Sequence, residues 1–168
     1  MQLDILDFTK KLLSKCIPVK VRQFKKSQLD SLVIEANSDF SSMISYHLVK
    51  CIKQYFKQCE TSKITNIITP FHTQYCILCI SKEQDEHLMI GPFLENPITD
   101  NLVYPIINNL KLNLDYTAKL KLYYQSVPSI DTTSIFEILY TINEYITKNP
   151  LPPDVDTLDL SILPKQDS

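Results

Sequence analysis

The chain has 168 residues, 44% of them apolar, and carries 17 basic and 19 acidic side chains. This length and apolar content are sufficient for one well-buried domain, and the nearly balanced charge argues against a basic nucleic-acid-binding surface. Gly91 is the one glycine, so the sequence excludes the glycine-rich phosphate loops of the Walker and Rossmann types.

The composition also bears on where the protein works. No apolar run reaches the roughly 18 residues that a membrane-spanning helix needs. The N-terminal residues MQLDILDFTKK lack the basic and apolar regions of a signal peptide. Five cysteines, an odd number without the spacing of a disulfide framework, indicate a reducing compartment. We therefore expect a cytoplasmic protein without a cofactor.

The first part of the chain alternates predicted helices and strands. Apolar residues recur at helical spacing in two segments, and Pro18 ends the first of them. Residues of Ser31–Ala36 alternate between two faces, as in a strand. In chain order the predictions are a helix at 3–16, an edge strand at 17–21, a strand at 31–36, a helix at 42–59 and a strand at 64–68.

The centre of the sequence predicts a buried antiparallel hairpin. Tyr75–Ile80 is a run of six apolar residues, and Leu88–Ile90 is a second apolar run after the charged connection Ser81–Glu86. Short apolar runs bounded by polar turns are typical of strands covered on both faces. Gly91 follows the second run, at a point where the backbone can take angles or close approaches closed to other residues.

The C-terminal part reads as helical, followed by a tail. Pro105 should kink or shorten the first of these helices, Asp115 can cap the second, and Ser134 with Glu137 has capping-box spacing for the third. The predicted helices are Thr99–Leu110, a segment from Asp115 to before Pro128, and Thr132–Lys148. Residues 149–168, rich in proline and acidic side chains, are predicted to be a linker or an extended segment.

Cysteine and histidine supply two weaker candidates. Cys76 and Cys79 have C-x-x-C spacing, but an offset of three along a strand places them on opposite faces, so a shared metal or disulfide is not expected. Cys79 and His87 could meet across the hairpin as a nucleophilic pair. The three histidines share no metal-ligand spacing. A thiol-based redox sensor or a small cysteine-dependent enzyme therefore stays an alternative function.

Two motifs carry a family resemblance. The hairpin ends in IGPF at Ile90–Phe93, and the helical part contains YYQSVP at Tyr123–Pro128. Together with the order of elements before them, these motifs resemble the N-terminal sensory domain of AraC-type transcriptional regulators of Gram-positive bacteria. The resemblance covers roughly residues 3–148 and implies an α+β, PAS- or GAF-like fold, an antiparallel sheet flanked by helices with a helical C-terminal part.

The resemblance also implies a function. Residues 1–148 would be a sensory and dimerisation domain, residues 149–168 would begin a linker, and DNA would be bound only through a helix-turn-helix domain that this chain lacks. The expected partners are a small-molecule effector and a second copy of the chain, and no catalysis is expected. A protein-interaction domain without any small molecule is a further alternative.

The resemblance places a ligand between the sheet and the helices, so alternate hairpin residues should form the pocket floor. On the first strand either the Tyr75 set or the set of Cys76, Leu78 and Ile80 could face it. We select the Tyr75 set because tyrosine adds a polar group to an apolar wall. The predicted ligand-binding residues are Tyr75, Ile77, Cys79, Met89, Gly91 and Phe93. A fully packed core without a cavity is the competing expectation.

Overall fold

A computed structural model describes residues 2–33, 39–148, 150 and 153–161. The described chain is α+β, with five α-helices and one five-stranded sheet. The helices are α1 (Gln2–Cys16), α2 (Asp39–Phe56), α3 (Asp100–Asn109), α4 (Thr117–Ser126) and α5 (Thr132–Thr147). The strands are β1 (Val21–Phe24), β2 (Ile64–Ile68), β3 (Gln74–Ser81), β4 (Glu86–Phe93) and β5 (Val155–Asp159). None of the helices so described is long and apolar enough to cross a membrane.

The sheet has the strand order β1-β4-β3-β2-β5. The predicted hairpin is confirmed as its centre, since β3 pairs antiparallel with both β4 and β2. Seven consecutive residues of β3, from Gln74 to Ile80, are buried. This continuous burial, rather than alternation, is what helices on both faces of a sheet impose.

Two layers of helices cover the sheet. One face packs against α1 and α5 through a core that includes Leu78, Leu88 and Leu139. The other face packs against α2 through Ile77 and Met89. A third core joins α3 and α4 to the segments that flank the hairpin. Helix α2 reaches both the second and the third core, because Phe40, Met43 and Ile44 at its N-terminal end pack into the latter.

The C-terminal segment that was predicted as a linker or extended segment contributes a strand to the sheet. Val155–Asp159 is extended, as predicted, but it pairs with β2 in parallel as the fifth strand of the sheet. The sheet is therefore mixed, whereas the resemblance implied an antiparallel one. The Ile64 N–H donates to the Asp154 carbonyl at 2.9 Å, and the Leu160 N–H donates to the Ile68 carbonyl at 2.8 Å.

Predictions near the N-terminus need correction. The strand predicted at Ser31–Ala36 is wrong for residues 31–33, which belong to the 3-10 helical segment Lys26–Val33, and residues 34–36 lie outside the described residues. The edge strand is shifted from 17–21 to Val21–Phe24, because Pro18 has no backbone donor for a ladder and the chain bends before β1.

Two helix starts also differ from prediction. Asp131 caps α5, accepting a hydrogen bond from the Thr133 N–H at 3.1 Å, so Ser134 lies inside the first turn instead of forming a capping box. The cap predicted for the second helix is also wrong, because α4 begins after Tyr116 without a side-chain cap. Asp115 lies in the preceding 3-10 turn Leu114–Tyr116, where its backbone N–H donates to the Asn113 side chain.

Candidate functional site

The six predicted site residues do not share one surface. Ile77 and Met89 lie in the core under α2, together with Tyr75. Cys79 is buried beside Tyr55 and Cys59. Phe93 is on the opposite face of the sheet, in the core with α1 and α5.

A bulge explains the position of Phe93. Gln74 pairs with Phe93 and Cys76 pairs with Ile90, so β4 has one more residue than β3 between these two pairs. One extra residue moves the following side chain to the other face of a strand. The assignment of Phe93 to the same face as Met89 is therefore wrong.

The room expected at Gly91 is filled by Tyr75. Gly91 has a φ of +150°, and a Cβ built there would lie 2.6 Å from Cδ2 of Tyr75 and 2.7 Å from the carbonyl oxygen of Gln74. The glycine thus allows close packing of the tyrosine ring, whereas the sequence predicted that it leaves a cavity. The prediction of a special backbone position there is confirmed.

A pocket of about 380 Å³ lies beside Tyr75, between β1, α2 and α4. Of the six predicted residues, Tyr75 alone borders it. The volume is at the small end of the range of roughly 300–1,000 Å³ for small-molecule sites. The lining residues are Pro18, Val19, Lys20, Arg22, Phe40, Ser41, Ile44, Ser45, Leu48, Tyr75, Pro92, Tyr123, Ser126, Val127 and Pro128.

Two tyrosines provide the polar part of the pocket floor. The phenol groups of Tyr75 and Tyr123 lie close enough to affect each other's pKa, and the Thr73 side chain also acts on Tyr123. Burial raises the pKa of both phenols, for Tyr75 against the opposing effect of the Arg22 charge. Both hydroxyls are therefore protonated at neutral pH.

The charged side chains in the described lining of the pocket are both basic. Lys20 and Arg22, on the approach to β1 and within it, contribute two cations to the lining. The described lining residues include no carboxylate. Phe40, Ile44 and Leu48 form an apolar wall from α2 opposite these charges.

The chain was compared with protein-family models, curated sequences and solved structures. No family model matches the chain, and no curated protein sequence or solved structure is significantly similar to it.

The two sequence motifs meet at this pocket. Pro92 of IGPF and Tyr123, Val127 and Pro128 of YYQSVP all line it. A hydrogen bond from the Leu94 N–H to the Pro128 carbonyl, 2.9 Å long, joins the two segments. The motifs therefore indicated the pocket better than strand alternation did, because alternation describes one element and the pocket is built from several.

The sequence analysis did not identify the two basic pocket residues, Lys20 and Arg22, as candidate site residues. Lys20 and Arg22 lie in and beside a short edge strand, where basic residues are ordinary. In the sequence they are distinguished by position alone. They lie two residues apart shortly after Pro18, so both can face the same side of an extended segment.

Four of the five cysteines are buried thiols, and Cys16 at the end of α1 is exposed. All five are unpaired, and the C-x-x-C pair faces opposite sides of β3, with Cys76 in the α1–α5 core and Cys79 beside Tyr55. Burial raises the pKa of Cys79 to about 11 and that of Cys51 to about 11, and it raises the pKa of Cys76 further. A nucleophilic or redox-active cysteine needs the opposite shift. No group of three or more His, Cys, Asp or Glu side chains in the described segments could hold a metal ion.

His87 lies opposite Cys79 across the hairpin, as expected, but its ring nitrogens have other partners. Nδ1 is 2.7 Å from the Tyr55 hydroxyl and Nε2 is 3.1 Å from Oδ1 of Asp85. Burial acts to raise the pKa of Asp85, but hydrogen bonds from the Lys26 amide, His87 and the Ser27 amide outweigh it and lower the pKa. The ionised Asp85 accepts from Nε2–H, which leaves Nδ1 to accept from Tyr55.

The buried His87 should make the fold sensitive to acid. Burial lowers its pKa from 6.5, against the opposing effects of Asp85 and Glu86. Below about pH 6.5 the unfolded chain therefore takes up a proton that the folded chain does not, and the free energy of unfolding falls as the pH falls. Urea titrations between about pH 7 and pH 5 should show this decrease in the free energy of unfolding, and the decrease should be smaller in His87→Asn. The pH dependence that remains in the variant should come from His47, whose pKa is lowered by burial and by Lys50. An unchanged slope in the variant would contradict this role for His87.

Proposed function

We propose that this chain is a ligand-sensing domain that controls an attached helix-turn-helix DNA-binding domain of the AraC type. Its ligand is a small anionic molecule with an apolar part, bound between β1, α2 and α4. The observation that carries the proposal is the pocket at the meeting point of the IGPF and YYQSVP segments.

The ligand class follows from the lining. Lys20 and Arg22 favour a carboxylate or phosphate group, and the pair of Tyr75 and Tyr123 can donate one hydroxyl proton to its oxygens while the two phenols contact each other. The apolar wall of α2 suits an aromatic or branched hydrocarbon portion. An anion that is enclosed between such groups gains charge-assisted hydrogen bonds that a neutral analogue cannot form.

Sensing agrees with this chemistry better than catalysis does. No histidine, carboxylate or cysteine belongs to the described pocket lining. The serine and tyrosine hydroxyls consequently have no general base beside them to activate a nucleophile. The lining does combine a strand and two helices that are far apart in sequence, so a ligand that prefers one arrangement of these elements shifts the population towards it.

A titration with matched probes tests this site. We expect benzoate and phenyl phosphate to cause saturable NMR shifts in β1, α2 and α4, and benzamide to bind at least tenfold more weakly. Arg22→Gln should raise the Kd of the anions by about tenfold, equivalent to about 1.4 kcal/mol. Lys82→Gln, which removes a cation from the exposed β3–β4 loop, is the matched control and should leave the Kd unchanged. Equal binding of the acid and the amide, or equal effects of the two variants, would contradict the proposal.

A further inference from the structure

A second cavity lies between the C-terminal end of α2 and the start of the 3-10 helical segment Lys26–Val33. Its volume is about 530 Å³, and it shares no lining residue with the pocket beside Tyr75. We call it the basic groove, because three of its six described lining residues are lysines and none is acidic. The six residues are Lys26, Ser27, Leu29, Lys53, Phe56 and Lys57.

The three lysines of the basic groove come from two elements that are packed together. Lys53 and Lys57 are four residues apart at the end of α2, where cations also complement the helix dipole. Lys26 belongs to the 3-10 segment, and its ammonium nitrogen lies 5.9 Å from the centre of the Phe56 ring. None of these three lysines forms an ion pair with a carboxylate that the structure describes. The groove thus collects positive charge that nothing in the described chain balances.

Asp85 indicates which side of Lys26 is open to an external anion. A further cavity, lined by Asp85, adjoins the basic groove and shares Lys26, Ser27 and Phe56 with it. The Asp85 carboxylate accepts hydrogen bonds from the Lys26 N–H at 2.9 Å and the Ser27 N–H at 3.5 Å. The start of the 3-10 segment therefore already has an anion of the chain itself. A second anion would be repelled there and is favoured on the α2 side, beside the lysines.

The chemistry of the basic groove favours a ligand with two neighbouring phosphate groups. Lysine ammonium groups bind phosphate as point charges on flexible stems, and two adjacent phosphates can contact lysines on both α2 and the 3-10 segment. Phe56 and the buried Leu29 add an apolar side to the lining. The whole chain has a net charge of -2, so it attracts anions only where its cations are clustered.

We propose that the basic groove binds a small organic diphosphate. Its phosphate groups contact Lys26, Lys53 and Lys57, and its organic part lies against Phe56. None of the residues that carry this proposal lines the pocket between β1, α2 and α4, so it does not rest on the function proposed above.

Isothermal titration calorimetry without divalent cations tests the ligand class. We expect ADP to bind with a Kd of about 1 mM or less, AMP to bind at least about fivefold more weakly, and adenosine not to bind. Pyrophosphate should bind more weakly than ADP, because it lacks the contact with Phe56. Geranyl diphosphate in place of ADP shows whether an isoprenoid or a nucleoside diphosphate binds more tightly. Failure of both organic diphosphates to bind, or equal binding of ADP and adenosine, would overturn the proposal.

Charge-removing variants of α2 and the 3-10 segment locate the site. Lys26→Gln and Lys53→Gln should each raise the Kd of ADP at least about threefold. Lys50→Gln is the matched control, because Lys50 lies on the same helix with its ammonium 5.3 Å from the centre of the Tyr46 ring and does not line the groove. It should change the Kd less than about twofold. The three lysines are exposed, so the unfolding temperatures should stay close to that of the wild type. Equal effects of Lys50→Gln and Lys53→Gln would mean general attraction to positive charge and would overturn the site.

A variant of the pocket separates the two proposed sites. Arg22→Gln should leave the Kd of ADP unchanged, and ADP should shift the NMR signals of residues 26, 27 and 53–57. If Arg22→Gln weakened ADP binding and Lys53→Gln did not, the diphosphate would occupy the pocket and the basic groove would be refuted. Binding of ADP that depends on Lys53 would support the groove even if benzoate and phenyl phosphate failed to bind in the pocket.

Discussion

Replacing Gly91 with alanine should destabilise the domain by about 3 kcal/mol or more. The added methyl group would meet the Tyr75 ring and the Gln74 carbonyl oxygen at distances that packed carbon atoms do not adopt. The Gln74 oxygen belongs to the central strand, which cannot move without disturbing pairings on both of its sides. A φ of +150° adds backbone strain for any residue with a side chain.

Urea or thermal unfolding measures this effect. Asn96→Ala adds no atom to the core and changes an exposed residue shortly after β4, so it should stay within about 0.5 kcal/mol of the wild type. If Gly91→Ala were also that mild, the close contact between Gly91 and Tyr75 would be refuted. Because Tyr75 borders the pocket, the surviving folded fraction of Gly91→Ala should also bind the anionic probes more weakly.

Truncation after Lys148 should have a comparable effect, although the sequence predicted only a linker or an extended segment there. It removes β5 and with it the half-buried side chains of Val155, Leu158 and Leu160. At about 1 kcal/mol for each of them, the loss is about 3 kcal/mol. The shortened chain should also aggregate at lower concentration, because the paired edge of β2 becomes a free strand edge.

Point variants in β5 distinguish packing from chain length. Leu158 packs into the α2 core, whereas its neighbour Thr157 is exposed. Leu158→Asp should therefore lower the unfolding temperature by several degrees, and Thr157→Asp should leave it nearly unchanged. If the truncated chain were as stable as the full chain, residues 155–159 would be a linker after all.

Local pattern was sufficient for the central hairpin, for β2 and for most of the helices. The apolar run Tyr75–Ile80 and the stripe of α2 each depend on one element, and each was predicted to within a few residues. Ser31–Val33 was mistaken for part of a strand because the alternation over the six residues Ser31–Ala36 is too short to exclude a 3-10 segment. Strand β5 was not recognised as a strand because its edge position leaves none of its five residues fully buried and their burial does not alternate.

The candidate site was less accessible from the sequence, for a geometric reason. Alternation assigned Tyr75 and Phe93 to one surface, but a single extra residue in β4 moved Phe93 to the other. The Tyr75–Tyr123 contact joins residues 48 positions apart, and no local pattern records such a distance. The pocket is built from segments that are far apart in the sequence. Only the IGPF and YYQSVP motifs, which both line it, indicated where it lies.

The burial of β3 on both faces also constrains how this protein can diverge. From Gln74 to Ile80 no residue faces water, and each side chain fits neighbours supplied by a helix layer. Neutral drift is therefore confined to the outer faces of the helices and to loops such as residues 82–85. The inner faces of the helices are constrained together with this strand, because their side chains supply those neighbours.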